Sequence, residues 1–176
     1  MPVTINRPTT DEYPDYYQNY MKLLPEGDLL FMLEKQASDL RYMLKDISNE
    51  QAEEAYAEGK WSIKELLQHL IDSDRIFGYR ALCFSRGEEA SLPGWDEAKY
   101  IHNSFANIRS LESLLDEYEL TRRSNMAMFH SFTHEMINNY GVANGRKMKL
   151  RGLLHVIAAH ELHHLNILKT RYLQKP

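Results

Sequence analysis

An all-α fold, a four-helix bundle with long connecting loops, is what this 176-residue sequence predicts. Three observations carry that. Four stretches of about 20 residues repeat apolar side chains at helical spacing, no stretch alternates strictly enough for a strand, and Gly- and Pro-containing breaks separate the periodic stretches.

The first helix runs from Asp28 to Ile47, with Leu29, Leu30, Leu33, Ala37, Leu40 and Leu44 in register and Asp28 as N-cap. A polar stretch with Gly59 follows. The second opens on Ser62 and Glu65, a capping-box pair, and continues to Ser85 with Leu66, Leu70, Ser73, Phe77 and Ala81 on its inner face. Gly87, Pro93 and Gly94 then mark a loop, and a short helix is expected over 97–105. The third long helix spans 110–132. Asn139-Tyr140-Gly141 and Asn144-Gly145 break the chain again before the fourth, 150–173. Two connections exceed the usual helix–helix length, and long loops on a bundle are often functional, so Leu92–Trp95 is a candidate pocket wall.

Composition fits one ordinary globular domain over 1–176, with 1–27 packing across the bundle. Hydrophobic residues make up 43%, charged residues 26%, and the net charge is −4 with both signs mixed. Neither a basic stripe for nucleic acid nor a membrane-length apolar run is present. The polar N-terminus has no signal core, and a lone cysteine, Cys83, allows no internal disulfide, so a reducing cytoplasm is expected. Nothing beside Cys83 in the sequence would activate it as a nucleophile.

The chemistry concentrates in His160-Glu161-Leu162-His163-His164. On a helix, His160 and His164 project from one face, about 40° and about 6 Å apart, and two imidazoles so placed can share a divalent metal. The run also matches HExxH, which makes Glu161 either the candidate catalytic base or a carboxylate of a surface or inter-helix salt bridge. A zinc protease of that type takes its third ligand from downstream, but the twelve residues after His164 contain no His, Asp or Glu. The third ligand is therefore expected upstream, on a facing helix. The alternative is a histidine pair without metal, and His130 and His134 show that the same spacing recurs here.

His69 borders the inner stripe of the second helix, which makes it either the third ligand or a hydrogen-bonded boundary histidine. His130 and His134 lie where the third helix is failing. His155 faces elsewhere, about 140° from His160. His102 and His163 are candidates for supporting roles, His163 also for facing substrate. Asp72 either orients His69 or is a surface carboxylate. Tyr13, Tyr16, Tyr17 and Tyr20 read first as packing, Trp95 as pocket or packing, and Arg171 as a solvated helix end or an anion contact.

The stretch WSIKELLQHLIDSDR with His69, the loop SLPGWDE and the terminal HVIAAHELHHLNIL together resemble the DinB/YfiT-like superfamily across nearly the whole chain. That resemblance implies an up–down–down–up bundle, often dimeric, with a metal site on His69, His160 and His164 and zinc or nickel as the metal. It also implies a small-molecule substrate: transfer of a low-molecular-weight thiol such as bacillithiol, with metal-dependent hydrolysis or a non-catalytic metal-binding role as alternatives. Lys149 stands where relatives tend to carry Ser or Thr before the last helix, which removes a cap.

Overall fold

Short polar side chains open three of the four long helices. The computed structural model of the chain describes residues 3–174. In chain order the helices are α1 (Gln18–Met21), α2 (Leu29–Leu44), α3 (Asn49–Ala52), α4 (Ile63–Ser85), α5 (Glu97–Ser104), α6 (Leu111–Phe129) and α7 (His134–Ile137). A hairpin of β1 (Tyr140–Ala143) and β2 (Arg146–Lys149) leads into α8 (Leu150–Ile167). Asp28 caps α2 by accepting from the Phe31 amide, Ser62 and Glu65 complete the expected capping box of α4, and Ser110 caps α6. Lys149 stands at the start of α8 without a capping bond.

Pair contacts fix the topology. Arg41 on α2 reaches Glu112, Asp116 and Glu119 on α6 while Glu34 meets His130, so α2 and α6 are antiparallel. The Gln36 amide donates to the Ala158 carbonyl, and Leu44 and Leu165 further along share one apolar cluster, so α2 and α8 run parallel. Gln68 meets Arg109 and Asp74 meets Asn125, which makes α4 parallel to α6. Tyr172 reaches the Trp61 carbonyl and Phe77 meets His160, which makes α4 antiparallel to α8. The order is up–down–down–up, with α2 diagonal to α4.

Two apolar clusters fill the bundle, one built around Leu33, Phe77, Met126 and Leu154, the other around Leu40, Leu67, Tyr118 and Leu165. Between them each long helix places buried polar groups: Gln36 from α2, Ser73 and Asp74 from α4, Arg122 from α6, His160 and Glu161 from α8. A polar layer this deep costs stability unless its members satisfy one another or a ligand.

The hairpin departs from the all-helical expectation. Asn144-Gly145 sits at its tip with φ 52° and 67°, the left-handed turn that Asn-Gly favours, and Gly141 pairs with Met148 across the ladder. The last helix also widens into a π-helical turn over Leu168–Tyr172.

Residues ahead of α2 form a strap over α8, with Tyr13, Tyr17, Met21 and Leu24 in the core. Its pin is Glu12, 2% exposed, which accepts from Lys149 Nζ at 2.6 Å and Arg151 Nε at 2.6 Å. Those cations, Arg151 foremost, pull the Glu12 pKa down to about 2 against the cost of burial. The strap can approach so closely because α8 carries Gly152 there: a Cβ would lie 2.5 Å from the Glu12 carbonyl oxygen.

Candidate metal centre

Helical geometry brings His160 and His164 to one face of α8, and the antiparallel neighbour α4 presents His69 opposite. The His69 Nε2 lies 3.1 Å from His160 Nε2, and His164 Nε2 lies 3.2 Å from the same atom. All three ligating atoms fall within 4.8 Å of one another. Tetrahedral coordination at ordinary zinc–nitrogen lengths separates ligand atoms by about 3.3 Å. A neutral imidazole has one N–H, so the one Nε2 of His160 cannot satisfy both neighbours. The donor set and its spacing fit a divalent cation, and the three histidines form a group that could hold one.

Burial keeps these rings neutral. Desolvation, followed by the neighbouring imidazoles, lowers the His160 pKa to about 3; desolvation and His163 lower that of His69 to about 4; His164 is lowered further still. Neutral nitrogens offer lone pairs, which is the state a metal requires. The outer atoms are less well served: His69 Nδ1 and His164 Nδ1 are sealed from solvent with no hydrogen-bond partner among the described residues. A ligating histidine usually donates through its second nitrogen. Asp72 does not supply that bond, because it accepts from Gln68 Nε2 at 2.9 Å.

Aromatic rings enclose the cluster. Trp95 stacks on His69 at 5.7 Å and 12°, Trp61 lies 4.9 Å from the same ring, and Phe77 meets His160 edge-on at 5.6 Å. Tyr20 of the strap packs edge-on against His163 at 4.8 Å, and His163 in turn lies 5.1 Å from His164. Sequence reading picked out Trp95 and Tyr20 but missed Trp61, whose place just ahead of the α4 cap was the available signal.

Glu161 faces a different neighbourhood. Its carboxylate is fully buried, accepts from the Tyr118 hydroxyl, and lies 2.7 Å from Arg122 Nη1. Arg122 also pairs with Asp74 at 3.0 Å and donates to the Leu33 carbonyl, and Asn125 donates to Asp74. Desolvation raises the Glu161 pKa, with Arg122 opposing. These contacts are those of an inter-helix salt bridge, and Glu161 is not among the groups that converge with the triad.

The other histidines are dispersed. His130 is exposed and pairs with Glu34 at 3.0 Å, while His134 and His102 are exposed. His155 is buried on another face of α8, its Nδ1 2.8 Å from the Arg151 carbonyl oxygen. Arg171 is exposed beside Tyr172, away from the triad. Among the described residues no helix is long and apolar enough to cross a membrane.

Comparison with known proteins agrees with the fold. The family model described as the DinB superfamily matches residues 32–168. A protein of Oceanobacillus iheyensis, named as a proposed metal-dependent hydrolase, is 26% identical over 151 residues, covering 80% of this chain and 81% of its own. Among solved structures, YfiT of Bacillus subtilis, described as a proposed metal-dependent hydrolase with an unusual four-helix bundle topology, superposes with a TM-score of 0.73. It is 15% identical and the match covers 93% of this chain and 90% of YfiT. A mycothiol-dependent maleylpyruvate isomerase superposes with a TM-score of 0.65 at 16% identity. The match covers 82% of this chain but 61% of the isomerase, and both structural likenesses speak to the fold.

Proposed function

Because the chain belongs to the DinB superfamily, we propose that it is a divalent-metal-dependent enzyme that transfers a low-molecular-weight thiol, of the bacillithiol type, to a small electrophile. The observation that carries this is the convergence of three neutral imidazole nitrogens from His69, His160 and His164. These three residues would hold the metal through Nε2, leaving a position open, as catalytic sites do. A zinc or nickel ion there would supply the positive charge that acidifies a nearby thiol or water.

The chain's own residues do the rest. Trp61, Trp95 and Phe77 keep the centre dry, which strengthens electrostatics within it. His163, lowered in pKa by burial and braced by Tyr20, is neutral at pH 7 and stands ready at the rim to take a proton. What favours a thiol over water is the occupation of Glu161. With that carboxylate held by Tyr118 and Arg122, the nucleophile must ionise without a carboxylate base beside it. A thiol, with a free pKa of about 8.5 against about 15.7 for water, needs far less help.

Metal-dependent hydrolysis is the second reading, favoured by the names of the Oceanobacillus relative and YfiT. Thiol consumption by the metal-loaded protein with a panel of electrophiles, bacillithiol first, separates the two. Turnover should disappear with chelator and in His160→Ala and persist in Cys83→Ala. Ester or amide hydrolysis without thiol-dependent turnover would replace the transferase reading with the hydrolase one.

A further inference from the structure

Two arginines are buried in this protein, and their circumstances differ. Arg122 is 2% exposed and has two carboxylates. Arg80 is 6% exposed and, among the described residues, has no ion pair. Its sole hydrogen bond runs from Nη2 to the Pro93 carbonyl at 2.9 Å. No other hydrogen bond of its guanidinium is found among the described residues. Burial pulls its pKa down, and only the Tyr17 and Tyr16 hydroxyls act against that. A cation sheltered this far from water without a counter-charge is costly to keep unless something anionic visits it.

Arg80 lines a pocket of about 300 Å³ between α4 and the loop that follows it. Ile76, Tyr79, Leu92, Trp95 and Tyr100 give it apolar and aromatic walls. Arg75 also borders it but is tied to Glu117 at 2.6 Å. The loop wall is fixed in advance. Leu92 exchanges backbone hydrogen bonds with Val142 and Asn144 of the hairpin at 2.9 Å each, and Gly94 sits so close to Asn144 that a Cβ would be 2.4 Å from its Oδ1.

The pocket adjoins the metal centre. Trp95, one of its walls, is the ring stacked on His69. The Arg80 guanidinium lies 5.8 Å from the Phe77 ring, the same ring that meets His160. Arg80 follows His69 by eleven residues, which returns it to within about 20° of the same α4 face.

We propose that this pocket binds a small organic anion with a flat apolar body, an aromatic carboxylate in the simplest case, its carboxylate on Arg80 and its ring along Trp95 and Tyr79. Aromatic walls with one placed charge are the usual composition of a small-ligand site. The assignment deepens the metal-dependent reading by naming the substrate class, and rests on it only for where the reacting carbon would lie.

Calorimetric titration of chelator-treated protein tests the pocket apart from the metal, using benzoate, neutral benzamide and cationic benzylamine as probes. Benzoate should bind once per chain, benzamide at least about tenfold more weakly, and benzylamine not at all, since a charge-assisted bond is the discriminating contact. Arg80→Met should cost benzoate at least about tenfold and Arg75→Gln less than about twofold. If Arg80→Met does not fold, Arg80→Lys keeps the charge and should retain benzoate binding and its preference over benzamide. Equal binding of benzoate and benzamide, no binding of benzoate, or an unchanged affinity in folded Arg80→Met would each overturn the proposal. Because the titration uses metal-free protein, benzoate binding would stand even if elemental analysis showed no bound metal, and its failure would leave a measured metal untouched.

Discussion

The polar layer of the bundle has two halves that share α4 and α8, and only one of them takes a central partner from α6. On one side Asp74 of α4 and Glu161 of α8 close around Arg122, with Tyr118 and Asn125 completing the set. On the other, His69 of α4 and His160 of α8 meet His164 with nitrogens aimed at a common point and sealed Nδ1 atoms left over. The difference teaches how to tell structural polarity from functional polarity. A guanidinium enclosed by two carboxylates holds helices in register, whereas convergent imidazole nitrogens without a common donor form a group that could hold a metal.

The largest test of that contrast is Arg122→Met, which strands two buried carboxylates. It should destabilise the metal-free protein by about 4 kcal/mol in urea titrations. His160→Ala should cost less under the same conditions; an equal or greater cost would erase the distinction. Next in size is metal affinity. His160→Ala should weaken zinc binding at least about a hundredfold, about 2.7 kcal/mol, in competition with a chromogenic chelator. Glu161→Gln should leave the stoichiometry unchanged, and loss of metal there would put Glu161 in the wrong half.

A pH series on metal-free protein probes the sealed imidazoles. Unfolded histidines take protons near pH 6.5, whereas His69 and His160 do so only near about 4 and about 3. Stability is therefore complete above pH 6.5 and falls as pH drops through that window, by at least about 2 kcal/mol between pH 7 and 5. A flat profile would mean that water reaches the rings. The smallest effect belongs to Tyr118→Phe, which removes one donor from Glu161 and should cost about 1 kcal/mol. A change below the resolution of chemical denaturation would show the network to be looser than its contacts suggest.

How much of this was legible beforehand follows from which interactions are local. His160 and His164 could be paired from helical spacing alone, and His69 from its position on the inner edge of α4. The helix starts at Asp28, Ser62 and Ser110 were legible because a cap is decided within four residues. An inter-helix salt bridge was one of the two readings of Glu161, but its partners were not legible, since Tyr118 and Arg122 lie on α6, the helix diagonal to its own, and only the packing order brings them together. The hairpin escaped because its strands are four residues long and alternate weakly, although Asn144-Gly145 carried its turn signal. Arg80 escaped because charge argues for the surface, and its shared face with His69 becomes meaningful only once the loop is seen to cover it.

The strap pinned by Glu12 implies an order of events in folding. Its partners, Lys149 and Arg151, lie 137 and 139 residues further along the chain. During synthesis the strap must therefore wait, already made, until the last helix emerges, and closing so long a loop makes its docking a late step. Tyr20, which braces His163 at the rim, rides on that strap. The three imidazoles can thus assemble from α4 and α8 while their doorway still stands open, and the wall beside them swings into place last. A metal of the kind these three histidines could hold would have its widest access in that interval between bundle assembly and strap closure.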